Sequence, residues 1–190
     1  MATKDEVIEA YFFVYYEIRC LNDLLFQAVR NLRYLDPEDH YDITHLVQDS
    51  MVKACLLHLR NLGEFFEFPS GKATHISIED YGLHAKKLLD NKTNRKLNND
   101  LAHLTYDRLS RELNVETNWN IKDTFGPVFE ECKSFLKHVH DQAKRHGLLK
   151  SYDRRVNQNT EELIKKIDLT LTLFKKIGTT SQKTSYIGAH

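Results

Sequence analysis

The segment Lys96–Arg108, KLNNDLAHLTYDR, concentrates side chains that can hold an anion or move a proton. Asparagine and aspartate favour caps and turns over helix interiors. Yet Leu97, Leu101 and Leu104 recur at the three- and four-residue spacing of an amphipathic helix. At about 100° per residue these leucines share one narrow face. Asp100, His103 and Asp107 form a strip beside it, with Lys96 one turn earlier and Asn99 within reach of His103. A histidine between carboxylates keeps its proton more readily, so it can act as acid or base near neutral pH. Arg108 falls in line with the leucines and requires a carboxylate partner or a place at the rim, because an unpaired buried charge is costly. The plainer reading of the strip is a satisfied boundary histidine, with Asn99 as a hydrogen-bond donor between helices.

A second polar set lies in HLRNLGEFFEF, residues 58–68. Arg60, Asn61 and Glu64 flank the apolar positions Leu59, Leu62 and Phe66. If the helices carrying the two sets pack antiparallel, Arg60 or Asn61 can face His103 or Asp107 across a groove. The plainer reading is a surface Arg60–Glu64 pair at i,i+4, worth a few tenths of a kcal/mol.

These residues need helices to position them, and the chain supplies helical patterning almost throughout. Seven glycines and three prolines in 190 residues leave long uninterrupted segments. Apolar residues at three- and four-residue spacing predict helices over about Lys4–Leu35, Ile43–Phe66, Lys92–Leu113, Ile121–His146 and Gln158–Ile177. Asp36-Pro37 should end the first, and Gly147 suits the C-terminal cap of the fourth. Between the second and third, Ser77 is an acceptable N-cap for a short helix, with Asp80 at its third position. No strand alternation or internal repeat appears. The expected architecture is an all-α bundle of four to five long helices, one domain over residues 1–178, with a polar, disordered tail at 179–190.

Composition narrows the function classes. Lys plus Arg equals Asp plus Glu, 27 each, which gives no whole-chain support for a dedicated nucleic-acid or membrane-surface binder. Residues 133–155 carry seven Lys or Arg against two acidic residues, a local stretch able to follow a phosphate backbone or simply to form a solvated face. Cys20, Cys55 and Cys132 are far apart, lack a zinc spacing and neighbour apolar residues, which suggests three buried thiols in a reducing compartment. The N-terminus does not read as a signal peptide and no segment approaches the ~18 apolar residues of a membrane span, so a cytoplasmic location is expected. His138 and His140 point to different helix faces and make a poor metal site. No metal or cofactor is expected, and no P-loop, GxGxxG, HExxH or GxSxG is present. Tyr11, Phe12, Phe13, Tyr15 and Tyr16 exceed what one core face needs, so the first helix is expected to form a homodimer interface.

The combination of RNLGEFF, an acidic loop with Asp80, LNNDLAHLTYDR, Trp119 and Ile121 resembles HEPN-type helical bundles, in particular bacterial branches near abortive-infection proteins. The resemblance spans about residues 45–125. Its most distinctive element is N-x-x-x-H-L-x-x-x-R, met by Asn99, His103, Leu104 and Arg108. It implies an all-α, often dimeric protein, and many such proteins are metal-independent ribonucleases in which an arginine stands a few residues before the histidine. In this chain Arg95 stands one position too far from His103, and Lys96, at a fitting distance, cannot make arginine's bidentate phosphate contact. The implied site therefore takes its cation from Arg60 or Arg108, uses His103 as the base, and adds Asn61, Asn99, Asp100 and Asp107 as binding groups. The expected function is RNA or nucleotide binding, or RNA cleavage, in a bacterial defence or stress context. The competing expectation is a non-catalytic helical module for dimerisation or protein interaction.

Overall fold

The computed structural model describes residues 4–31, 41–69, 77–102, 121–145 and 154–180. Among them are five α-helices and no strand: α1 (Lys4–Asn31), α2 (Tyr41–Glu67), α3 (Asn91–Ala102), α4 (Ile121–Arg145) and α5 (Arg154–Thr180). A short 3-10 helix, Ile78–Tyr81, precedes α3. The all-helical expectation holds over these residues. The chain divides into two compact units, residues 1–118 and 119–190.

In the first unit, α1 buries Tyr11, Val14, Ile18, Leu21 and Leu25, the three-and-four spacing read from the sequence. α2 answers with Cys55, Leu56, Leu59, Leu62 and Phe66. Each fully buried aliphatic or aromatic side chain contributes about 1.5–3 kcal/mol, so this seam is the main stabilising feature of the unit. The two helices run antiparallel. Near the start of α1, the Tyr81 hydroxyl donates to the Val7 carbonyl at 2.9 Å, while its ring lies 5.9 Å from that of Phe65 near the end of α2. Further along α1, Glu17 meets His58 and Asn61, earlier in α2.

The connection from α2 to α3 is built by polar groups. Ser77 caps the 3-10 helix: its side chain accepts from the Glu79 amide, and Asp80 Oδ2 accepts from the Ser77 amide at 2.9 Å. The capping role expected of Ser77 and Asp80 is thus realised on a 3-10 turn. Gly82 closes it at φ 76°, a left-handed conformation that costs glycine little. The chain then crosses the end of α2, where the Lys86 amide donates to the Phe66 carbonyl at 2.8 Å. Glu67, the last residue of α2, holds the segment leading into α3. Its Oε1 accepts from the amides of Leu88 at 3.0 Å and Leu89 at 2.9 Å, and its Oε2 accepts from Asn94 Nδ2 at 3.3 Å. Asp90 caps α3 by accepting from the Thr93 amide.

The second unit is an antiparallel pair. Phe129 meets Phe174 with ring centroids 5.8 Å apart, Lys133 pairs with Asp168, and His140 Nε2 lies 3.4 Å from Glu161 Oε1. Later positions on α4 meet earlier ones on α5. α4 runs through Pro127, whose ring removes one helical hydrogen bond. Burial of Phe125, Val128 and Phe129 around it holds the helix together. α5 reaches Thr180, beyond the expected end at Ile177. The His140 side chain is only 9% exposed between α4 and α5. No described helix is long and apolar enough to cross a membrane.

Candidate functional site

The polar residues of α2 lie beside its buried stripe, where the helical projection puts them. Arg60 Nε donates to Glu64 Oε1 at 3.0 Å in an exposed i,i+4 pair. This is the plainer of the two arrangements open to Arg60, and it occupies one donor of the guanidinium. Asn61 turns toward α1, where its Nδ2 donates to Glu17 Oε2 at 3.2 Å. The same oxygen lies 2.6 Å from His58 Nδ1. Glu17, His58 and Asn61 therefore form a cluster on the rim of the α1–α2 seam. Its two ionisable members are mostly shielded, at 25% and 16% side-chain exposure. The Tyr16 ring stands edge-on to the imidazole, with centroids 6.5 Å apart.

A carboxylate on Nδ1 orients an imidazole and sets which nitrogen carries the proton. With Nδ1–H donated to Glu17, the other nitrogen of His58 is the basic one. The cluster clasps two helices at residues more than forty apart in sequence. Sequence reading placed Asn61 in a site but did not connect it to Glu17 or His58. The signal was a glutamate interrupting the apolar run of α1, facing a helix whose own polar residues border its stripe.

α3 carries the first half of KLNNDLAHLTYDR. Leu97 is buried at 1% exposure, as its place in the core stripe requires. Glu67 sets the approach of α3 to α2 through Leu88, Leu89 and Asn94. Asn99 and Asp100 lie within α3. The side chains of Asn99 and Asp100, and His103, Asp107 and Arg108 altogether, lie outside the described residues. So do Trp119, the side chains of residues 177–180 and the remainder of the tail. Asp80 is engaged in the capping box and presents no open acid.

The thiols divide by burial. Cys55 and Cys132 are buried, and Cys20 is half-buried. Loss of hydration pushes the Cys55 thiol up to about 12 and raises that of Cys132 as well. Neither is a nucleophile near neutral pH. Cys20 corrects the expectation of three buried thiols: it lies toward the outer side of α1, one turn after Tyr16. A hydrogen bond with this thiol holds the Tyr16 phenol above its ordinary range. Among the described residues no group of three or more His, Cys, Asp or Glu is placed to hold a metal ion.

Compared with known protein families, curated proteins and solved structures, the chain matches none.

Proposed function

We propose that this chain is a HEPN-like helical protein that binds RNA or a nucleotide along the α2–α3 polar edge, with His103 as general base toward a ribose 2′-hydroxyl. The observation supporting this reading is the docking of α3 onto the end of α2 through Glu67, Leu88, Leu89 and Asn94. It brings the helix that opens the Asn99–Arg108 motif onto the helix that holds Arg60 and Asn61. In this reading Arg60 exchanges its exposed contact with Glu64 for a phosphate, a small loss because such pairs contribute only a few tenths of a kcal/mol. Arg108 supplies a second cation, and Asn99, Asp100 and Asp107 position the backbone and base. Incubation with single-stranded RNA in chelator tests it. Wild type should cleave or retain the RNA, His103→Ala should lose cleavage, and Arg60→Ala should weaken binding. RNA that is neither bound nor cut by wild type would overturn the reading.

A second reading, a non-catalytic module acting through homodimerisation, is favoured by a different observation. Phe12, Phe13 and Tyr16 on α1 are exposed by 45%, 71% and 59%. Large aromatic side chains grouped on one helix face are characteristic of protein interfaces.

A further inference from the structure

The aromatic face of α1 has a charge pattern that specifies what covers it. Tyr11, Val14, Ile18 and Leu21 turn inward. About half a turn away, Glu9, Phe12, Phe13, Tyr16 and Arg19 are exposed. Glu9 precedes the aromatics, and Arg19 comes after them with Asp23 one turn further on. Glu9 stands five residues before Val14 and Arg19 five after it.

We propose that a second copy of this chain docks along α1 in antiparallel orientation, with the two-fold axis at the level of Val14. This rests on the dimerisation reading above and adds its geometry. Around such an axis, residues that meet are equally far from Val14 in opposite directions. Phe12 then lies at the level of the partner's Tyr16, and the two Phe13 side chains flank the axis. Glu9 faces the partner's Arg19, and the symmetric contact repeats at the other end. The axial offset of Glu9 and Arg19 from Val14 is about 7.5 Å each, so both ion pairs flank the aromatic centre.

The alternative of two parallel α1 helices puts each Glu9 beside its own copy and each Arg19 beside its own, a like-charge arrangement that disfavours docking. Arg19 already lies 3.6 Å from Asp23, but a guanidinium has five donors and can serve both carboxylates. The aromatic centre supplies the buried area, and the flanking charges choose the direction.

Charge reversal tests the arrangement. Glu9 and Arg19 are exposed, so Glu9→Arg, Arg19→Glu and the double variant should keep the helical content seen by circular dichroism. Sedimentation equilibrium should give wild type at twice 22.3 kDa. Each single reversal should raise the dimer Kd by about 10- to 100-fold, and the double reversal should restore most of it. A wild-type dimer indifferent to all three variants overturns the antiparallel α1 arrangement while leaving dimerisation intact. A dimer lost on single reversal and not regained in the double also overturns it. A wild-type monomer at micromolar concentration overturns both the arrangement and the dimerisation reading.

Discussion

Replacing Glu67 by alanine should detach the 83–90 segment from α2 and loosen α3. The carboxylate accepts two backbone amides at 3.0 and 2.9 Å and the Asn94 side chain at 3.3 Å. Hydrogen bonds to a charged acceptor contribute about 1.5–3 kcal/mol when well shielded, and those near solvent contribute less. Glu67 and Leu88 are half-buried while Leu89 is buried, so about 1 kcal/mol for each amide bond and less for the long Asn94 contact is a reasonable scale. The expected loss is about 2–3 kcal/mol for Glu67→Ala. Glu67→Gln keeps an acceptor oxygen and should lose only about 1 kcal/mol. Because the chain has two compact units, global unfolding can hide a change confined to one of them. Amide exchange read residue by residue is the better assay. Leu88 and Leu89 should exchange about 30- to 100-fold faster in Glu67→Ala, with Phe129 and Ile167 amides unchanged. Wild-type exchange at Leu88 and Leu89 in the alanine variant would overturn this account, since the carboxylate would then not be what holds them.

Other contacts make three more outcomes testable. The Thr93 amide and hydroxyl hold the Asp90 carboxyl below its ordinary range. A depressed folded-state pKa gives stability that is present above the unfolded value and lost as pH falls through the folded one. The start of α3 should therefore fray on acidification, and Asp90→Asn should flatten that dependence in the Thr93 amide shift. Thiol labelling of the native protein at neutral pH should modify Cys20 first, while Cys55 and Cys132 react only on unfolding; three equally fast thiols would contradict their burial. A double-mutant cycle of Glu17→Ala and His58→Ala should show about 0.5–1.5 kcal/mol of coupling, because the pair is short and mostly shielded. Coupling near zero would mean the clasp adds nothing beyond packing.

The helices were legible because burial follows a period that the apolar residues write directly. Tyr11, Val14, Ile18 and Leu21 in α1, and Leu163, Ile167, Leu171 and Phe174 in α5, are buried where the spacing placed them. The Ser77–Asp80 capping box was equally legible, since both partners lie within one turn and need no information from elsewhere in the chain. The polar edge was only half legible. Helical projection puts Arg60, Asn61 and Glu64 beside the α2 stripe but carries no information about which helix faces them. Arg60 meets Glu64 from its own helix, while Asn61 meets Glu17 from α1. That second choice depends on the antiparallel register of α1 on α2, along whose seam Ile18, Leu21 and Leu59 are fully buried. Glu67 was hidden for a related reason. Its partners are the backbone amides of Leu88 and Leu89, and amides are present at every residue. A carboxylate at a helix end can cap a distant loop without leaving a mark in the composition of that loop. The part of a helical protein that escapes a sequence reading is thus where polar groups bond to backbone or across helices, and these are the contacts that fix how α3 meets α2.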